Sequence, residues 1–399
     1  MINLAMPDIK RLEVIAQNSK DCISFSQGAL RIGVDQSIKE YVQQILHTDK
    51  ADYYTEAAGI FKLREKLAQS LSERWNCAVG PEHVLISHGA TGSLSSLCST
   101  LLDEGDQVLL LEPSYPVYNS ILKICKAQPI FAPAFSMKKN MAGQTEWVFD
   151  FNCVEQALTD QTKMIIFSNP SNPNGMFLGV QDLMRLKELC EKNRIYLIVD
   201  EVYEDFIFEG TFSSVTPWTL NSDFVMRVGS FSKSFAMSGW RIGYIVGSSR
   251  LISAITNVQS CTLGCPNALG QYGALYALEH EQDIVPGLQE KVLKSKEIAC
   301  AFFDELQERN LISYVQPKAS FYIFFQPLDT DGMSFVMDVL KTVKISMVPG
   351  TDFGPGFGNF VRFCFAREPI VVTEGIKRFQ KYFILKHQEK NKSIEQGVL

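Results

Sequence analysis

The chain has 399 residues, 46% of them hydrophobic, and a formal net charge of -6. This length is enough for two or three domains with cores of their own. The acidic balance, with a pI near 5.6, argues against nucleic acid as a partner, because phosphate binding needs a basic face.

The N-terminal segment and the cysteines indicate the class of protein. The first twenty residues carry a charge every few positions, unlike a secretory signal or a membrane span. The ten cysteines are scattered singly, with no CxxC pair and no histidines at metal-ligand spacing. We therefore expect reduced cysteines, no metal site, no membrane partner and a cytoplasmic enzyme that acts on a small molecule.

Short apolar runs alternate with amphipathic helical patterns in the first two thirds of the chain. Continuous apolar strands suit a sheet buried on both faces. Their alternation with helices predicts an α/β fold with a mostly parallel, doubly wound sheet. The predicted helices are Ile60–Trp75, Gly92–Leu102, Val180–Lys192 and Leu251–Gln259, and the predicted strands are Val84–Ser87, Gln107–Leu111, Met164–Ser168, Ile195–Val199, Phe224–Val228 and Arg241–Val246.

The pattern changes after Pro286 and Gly287. A long helical stretch runs to about Arg309, and short strands with one further helix near Met333–Thr342 follow it. This predicts a smaller α+β domain. We expect residues 1–40 to form an N-terminal arm and part of the small domain, 41–285 a large domain, and 286–399 the small C-terminal domain with its long linking helix.

Polar clusters stand where the predicted strands end, which is where ligands collect in a doubly wound sheet. The segment 87–92, SHGATG, opens a helix whose N-terminus could hold a phosphate, although an ordinary strand-to-helix turn also explains it. The segment 167–175 places two asparagines in a loop that by itself is typical of a surface turn. Asp200 ends a very apolar strand, with Tyr203 three residues later, and a carboxylate buried there needs a cationic partner.

One lysine follows the next apolar strand. Lys233 is surrounded by four serines and is followed eight residues later by Arg241. A lone lysine is usually a solvated surface charge. The hydroxyl groups and the arginine instead favour an anion pocket, to which four separate segments contribute.

Together these motifs resemble the class I and II aminotransferases of fold type I, which use pyridoxal 5′-phosphate. The resemblance rests on Ser-x-Ser-Lys with an arginine eight residues later, preceded by Asn-Pro-x-Gly and Asp-x-x-Tyr, and it extends from about Gly28 to Ala366. It implies a large domain that binds the cofactor and an aminotransferase that moves an amino group from an α-amino acid to a 2-oxo acid by a ping-pong route.

The resemblance assigns four residues to the reacting part of the cofactor. Lys233 would form the Schiff base and later act as the proton-transfer base. Asp200 would keep the pyridine nitrogen protonated. Tyr203 and Asn172 would hydrogen-bond the ring oxygen and lower the Schiff-base pKa, and Asn172 would also lie at the substrate.

The same resemblance assigns the remaining cofactor contacts. Ser230, Arg241 and the backbone of Ala90 and Thr91 would hold the phosphate. Tyr115 would stack on the cofactor ring.

The substrate and the partner subunit complete the implied site. Arg362, inside an apolar strand, would bind the substrate α-carboxylate with help from the backbone at Gly28, and closure of the small domain would exclude water. Tyr54 would reach the phosphate of the neighbouring subunit, which implies a homodimer with composite active sites.

Several readings remain open at this stage. The loop Gly28–Gly33 lacks the proline and the acid that many relatives carry, and Arg31 could meet an acidic substrate side chain or simply be solvated, so the substrate pair is not defined. The same fold hosts β-eliminating C–S lyases and related decarboxylases and synthases. A non-catalytic regulator is a third reading, but such regulators carry a DNA-binding domain ahead of this fold, and 27 residues precede Gly28 here.

Overall fold

The computed structural model describes residues 8–395, and side chains as far as residue 388. The chain divides into two compact units. Unit 1 comprises residues 29–290 and 317–320, and unit 2 comprises residues 8–28, 291–316 and 321–395 within the described range. Between residues 8 and 395, no helix is both long enough and apolar enough to cross a membrane.

Unit 1 is built from alternating strands and helices. Its helices are α2 (Gln36–Ile45), α3 (Phe61–Trp75), α4 (Gly89–Leu101), α5 (Pro116–Ile124), α6 (Phe151–Ala157), α7 (Val180–Asn193), α8 (Thr216–Thr219), α9 (Phe231–Ser234), α10 (Ser249–Thr262) and α11 (Ala268–Glu279). Its strands are β2 (Val84–Ser87), β3 (Gln107–Leu111), β4 (Gln128–Ala132), β5 (Phe135–Lys139), β6 (Thr145–Phe149), β7 (Thr162–Ser168), β8 (Tyr196–Asp200), β9 (Val225–Ser230) and β10 (Gly243–Val246).

The central sheet of unit 1 has, in the described chain, seven strands in the order β2-β10-β9-β8-β7-β3-β4. All neighbours pair in parallel except β10, which runs antiparallel to both β2 and β9. The strands are continuous apolar runs because helices cover both faces of such a sheet. The α/β fold with a mostly parallel sheet is therefore confirmed.

Unit 2 has a four-stranded antiparallel sheet, counted over the residues that the structure describes, in the order β11-β12-β15-β14. Helix α12 begins in unit 1 and continues into unit 2, and two further helices follow it. The elements of unit 2 are α1 (Asp8–Asn18), β1 (Ile23–Ser24), α12 (Glu281–Glu308), β11 (Ile312–Tyr314), β12 (Tyr322–Pro327), α13 (Gly332–Val343), β13 (Ile345–Ser346), β14 (Val348–Pro349), β15 (Val361–Cys364) and α14 (Pro369–Glu395).

Most of the predicted helices and strands begin one to three residues from their predicted start, and the starts of α4 and β10 bear on the site. Helix α4 begins at Gly89 rather than Gly92, so the whole glycine-rich turn joins the first helical turn. Strand β10 begins at Gly243 rather than Arg241, because Arg241 has a left-handed φ of 60° that does not fit an extended strand.

Helix α7 offers a test of the core. Leu186 is completely buried, whereas Met184 on the same helix is 46% exposed. We expect Leu186→Ala to lower the free energy of unfolding by about 2–5 kcal/mol, because it loses buried methyl groups and leaves a cavity. We expect Met184→Ala, the matched control, to change it by less than about 0.5 kcal/mol. Urea unfolding followed by circular dichroism measures both, and equal losses would contradict the assigned face of α7.

Candidate functional site

Three neighbouring strands of unit 1 bring predicted site residues to one edge of the sheet. Strand β7 ends at Ser168, β8 at Asp200 and β9 at Ser230. Ser168 lies opposite Asp200 in the register, and Asp200 lies opposite Val228. Because the strands are parallel, the loops that follow them meet at this edge.

Asp200 is a buried carboxylate with few partners in the protein. Its side chain is 4% exposed. Tyr118 donates a hydrogen bond of 2.9 Å to Oδ2, and the backbone N–H of Val202 lies 3.4 Å from Oδ1. Burial raises the pKa of Asp200 to about 6, while the bond from Tyr118 and the charge of Lys233 lower it. A bound cation would stabilise this carboxylate further.

Tyr118 is a site residue that the sequence analysis does not identify. Burial and the neighbouring Asp200 raise the pKa of Tyr118 well above its ordinary value, so it remains a hydrogen-bond donor. Tyr115 lies at the N-terminus of the same helix, α5, with its ring 5.5 Å from that of Tyr118 and nearly perpendicular to it. The spacing of three residues places both tyrosines on one side of α5. Nothing in that spacing shows that Tyr118 reaches a carboxylate 82 residues later.

Tyr203, Asn172 and Lys233 come together beside this carboxylate. The side-chain amide of Asn172 donates to the Tyr203 hydroxyl over 3.3 Å. The backbone N–H of Asn172 donates to Ser168 over 3.0 Å, which fixes the loop after β7. Lys233 lies on the short helix α9, and its Nζ atom is 5.8 Å from the centroid of the Tyr203 ring. The four residues assigned to the reacting part of the cofactor thus lie in one region of unit 1.

Arg241 lies beside the first turn of α4, and we call these two elements together the cradle. The guanidinium of Arg241 donates to the carbonyl of Ser238 over 2.7 Å and to that of His88 over 3.4 Å. At Gly89, with φ at +72°, an added Cβ would lie 2.5 Å from Nη2 of Arg241. A glycine is therefore required for the guanidinium to lie beside the first turn of α4.

The backbone of α4 supplies further donors. His88, the N-cap residue, makes no side-chain capping hydrogen bond to the first N–H groups of α4, which include those of Ala90 and Thr91. A Cβ on Gly243 would lie 2.6 Å from the nitrogen of Ala90, so β10 holds this turn at close range. Burial lowers the pKa of His88, which leaves Arg241 as the positive charge here.

Ser230 links the cradle to Lys233. Its hydroxyl accepts the backbone N–H of Ser232 over 3.1 Å and caps α9. The side chain of Tyr54, in contrast, is 98% exposed and does not pack into unit 1. Apart from Tyr54, the predicted site residues that belong to unit 1 therefore lie near one another.

The predicted carboxylate-binding residues, Arg362 and Gly28, both belong to unit 2. Arg362 is fully buried in β15 and donates a hydrogen bond to the carbonyl of Ser26. Its guanidinium carbon lies 4.5 Å from the ring centroid of Tyr322 and 5.0 Å from that of Phe353. A Cβ on Gly28 would lie 2.2 Å from the Tyr322 hydroxyl, so Arg362 and Gly28 contact the same ring.

A buried ion network at Arg227 is the second feature that the sequence analysis does not identify. Arg227 lies in β9, within the otherwise apolar run FVMRVG, and is fully buried. The sequence did contain a signal for Arg227, because Arg362 was identified by the same observation, an arginine inside an apolar strand.

Comparison with known proteins shows which family the chain belongs to. Residues 20–379 match the family described as aminotransferase class I and II. An aspartate aminotransferase of Thermotoga maritima is 29% identical over 93% of this chain and 94% of its own length. The structure of Thermus thermophilus aspartate aminotransferase with maleate superposes with a TM-score of 0.85 at 25% identity, covering 96% of this chain and all of that one. An aromatic aminotransferase of Pyrococcus horikoshii gives 0.82 at 25% identity, covering 95% and 99%.

The pKa of Asp200 makes stability depend on pH in the cofactor-free protein. Because the pKa is higher in the folded state, Asp200 favours folding fully below about pH 4 and loses this effect as the pH rises through about 6. We expect the wild type to lose about 1 kcal/mol relative to Asp200→Asn between about pH 5 and pH 7.5. Urea unfolding at both pH values measures the difference, and parallel profiles would show that Asp200 has an ordinary pKa.

Proposed function

Because this chain belongs to the aminotransferases of class I and II, we propose that the cluster around Lys233 is its catalytic site. Members of the family depend on pyridoxal 5′-phosphate, and the chain is accordingly a pyridoxal-phosphate-dependent transaminase acting on amino acids and 2-oxo acids. The finer assignment, of each residue to a task in a ping-pong transfer, is our proposal. The observation that carries it is the convergence of Asp200, Tyr203, Asn172 and Lys233 at one sheet edge.

The residues present fit the cofactor in chemistry and in charge. A buried carboxylate with a raised pKa suits a protonated pyridine nitrogen, and this is the task we assign to Asp200. Tyr203 and Asn172, already hydrogen-bonded to each other, suit the ring oxygen. Tyr115, at the start of α5, suits the ring face. When bound, the cofactor supplies an electron sink for the bonds at the substrate α-carbon.

The phosphate end is equally well matched. Arg241 supplies a cationic fork of donors, and Ser230 supplies a hydroxyl. The N–H groups of Ala90 and Thr91 lie in the first turn of α4, where the helix dipole favours an anion. Since a Cβ on Gly89 would meet the Arg241 guanidinium, the two halves of the cradle are adjacent.

Lys233 is assigned two tasks. Its amine is the covalent attachment point of the cofactor aldehyde, and once released it moves a proton between the substrate α-carbon and the C4′ position. Its side chain is only partly exposed.

The substrate carboxylate is assigned to Arg362. Its guanidinium is held over the ring of Tyr322 and by the carbonyl of Ser26, which fixes the plane of its donors. Gly28 contributes a backbone contact beside the same ring. Asn172 is the third residue that we assign to the substrate.

The preferred substrate pair is a question for experiment. Relatives include enzymes named for aspartate and a solved aromatic aminotransferase, so dicarboxylic and aromatic donors are both reasonable. Arg31 is exposed and is our candidate for contact with an acidic substrate side chain. We also propose a cytoplasmic location, since all ten cysteines are free thiols.

We further propose a homodimer in which Tyr54 serves the partner's site. A tyrosine that is 98% exposed leaves a large ring and a hydroxyl without cover in the single chain. Tyr53 beside it is 73% exposed, so this segment presents two aromatic residues to a partner.

Replacement of Lys233 tests the assignment directly. We expect the purified wild type to show a visible absorbance band of lysine-bound cofactor that converts to the pyridoxamine form with suitable amino acids. Lys233→Ala is expected to lose that conversion by about 10⁴-fold or more, because both the attachment point and the base are removed. A panel of glutamate, aspartate, phenylalanine and cystathionine ranks the donors. Pyruvate release without conversion would instead identify a lyase, and the absence of cofactor binding would refute the site.

Mixed dimers test the role of Tyr54. We expect Lys233→Ala and Tyr54→Ala to be weakly active when each is purified separately. Co-refolded in equal amounts, they are expected to recover about one quarter of wild-type activity, because half of the dimers are mixed and each of those has one intact site. The control is each variant refolded with itself. No recovery in dimers shown to be mixed would place Tyr54 outside the partner's site.

A further inference from the structure

Arg227 is held by four different groups inside unit 1. Its Nε atom lies 3.0 Å from a carboxylate oxygen of Glu201, and Nη1 donates to Thr216 over 2.7 Å. Nη2 donates to Glu204 and, over 3.1 Å, to the hydroxyl of Tyr244. Both terminal nitrogens of this fully buried arginine therefore donate hydrogen bonds, while Nε is paired with Glu201 by charge without a hydrogen bond.

The two carboxylates of this network flank Tyr203. Glu201 directly follows Asp200, and Glu204 directly follows Tyr203. Glu201 also accepts hydrogen bonds from the Ser214 hydroxyl and the Val215 backbone. The segment that carries Asp200 and Tyr203 is thus tied at both ends to Arg227, on the strand that leads into Lys233.

The ring of Tyr244 packs over the backbone of β9, beside Arg227. A Cβ on Gly229 would lie 2.1 Å from the Tyr244 ring, so the ring packs directly on the residue before Ser230. Ser230, Phe231 and Ser234 line a cleft together with Glu204 and Tyr244. The ion network and the turn that carries Lys233 are therefore neighbours.

A second arginine, Arg74, also lines this cleft. Arg74, from α3, pairs with Asp205 at 2.8 Å and with Glu281, and it lies 3.6 Å from Glu204. In the described part of the chain, no group of three or more histidine, cysteine, aspartate or glutamate side chains is placed to hold a metal ion. Arg74 and Arg227 thus supply positive charge to these carboxylates.

Loss of Arg227 would leave buried carboxylates without their cation. Burial raises the pKa of Glu201 to about 7, and the charge of Arg227 opposes that rise. Although burial lowers it, Glu204 raises the pKa of Arg227 above its ordinary value, so the guanidinium stays charged. Breaking one side of a buried pair is costly, and the segment 201–205 must move or take up a proton in response.

We propose that Arg227 is a positioning residue that sets the separation between the Tyr203 hydroxyl and the Lys233 amine, and through it the pKa of the lysine–cofactor linkage. This inference rests on the proposed function. Tyr203 can favour the deprotonated linkage only while its hydroxyl stays in reach of the ring oxygen. Titratable groups near that pair include Asp200, Tyr118, Glu201, Glu204, Tyr244, Arg74 and Asp205, and Arg227 contacts Glu201, Glu204 and Tyr244 directly.

The test is a pH titration of the visible band of holoenzyme for the wild type, Arg227→Met and Glu204→Gln. We expect both substitutions to raise the pKa of the linkage by about one unit. Tyr203→Phe is expected to give a similar rise, and adding Arg227→Met to it is expected to change the pKa little further, because both act through one hydroxyl. Retention of cofactor during dialysis of each variant is a second readout.

Two controls separate positioning from general destabilisation. Leu186→Ala weakens the core of unit 1 away from the network, and Arg250→Met breaks an exposed ion pair with Asp223. Both are expected to titrate like the wild type, even where Leu186→Ala unfolds as readily as Arg227→Met. If Arg227→Met does not fold, Glu204→Gln decides the question.

The possible failures are distinguishable. A wild type that binds no cofactor would refute the proposed function and this inference with it. A wild type with a titrating band, next to folded Arg227→Met or Glu204→Gln with an unchanged linkage pKa, would refute this inference while leaving the function in place. A linkage pKa that moves equally in Leu186→Ala would reduce Arg227 to a purely structural residue.

Discussion

The burial of the Asp200 carboxylate at the end of β8 is the constraint on which the rest of the site depends. An ionised carboxylate is costly in a sheet covered on both faces. The protein offers it one tyrosine hydroxyl, one backbone N–H and the nearby charge of Lys233, and its pKa remains raised to about 6. A cationic group of a ligand would supply the positive charge that this carboxylate lacks. A buried carboxylate that is unfavourable in the protein alone is therefore useful in an enzyme that binds a cofactor.

The negative charges of the neighbouring carboxylates, Glu201 and Glu204, are compensated in a different way. The side chains of Glu201 and Glu204 are also mostly buried, but Arg227 pairs with both of them from within the protein. Asp200, to which we assign a cationic ligand group, and two carboxylates paired within the protein therefore lie within five consecutive residues. In our proposal, the protein-paired carboxylates hold the backbone that carries Asp200 and Tyr203. Buried ion pairs often add little net stability, and a positioning role is what we propose for this one.

The arginines illustrate how environment decides the role of one residue type. Arg241 is exposed, has a left-handed backbone and lies beside a glycine, so its donors remain directed at an anion site. Arg362 is buried in unit 2 among aromatic rings, which hold the plane of the guanidinium. Arg227 is buried among carboxylates, which pair with its charge. These differences follow from which groups the fold places around each guanidinium.

The sequence by itself determined the family and six of the strands of unit 1, and it predicted the sheet edge at which we place the site. Strands such as Val84–Ser87 and Gln107–Leu111 were predictable to the residue, because a strand buried on both faces must be continuously apolar and polar residues mark its end. The tertiary structure alone decided that Tyr118 bonds to Asp200 and that Arg227 ties Tyr203 to the strand before Lys233. Such contacts join segments far apart in the chain, and periodicity and local spacing report only on near neighbours.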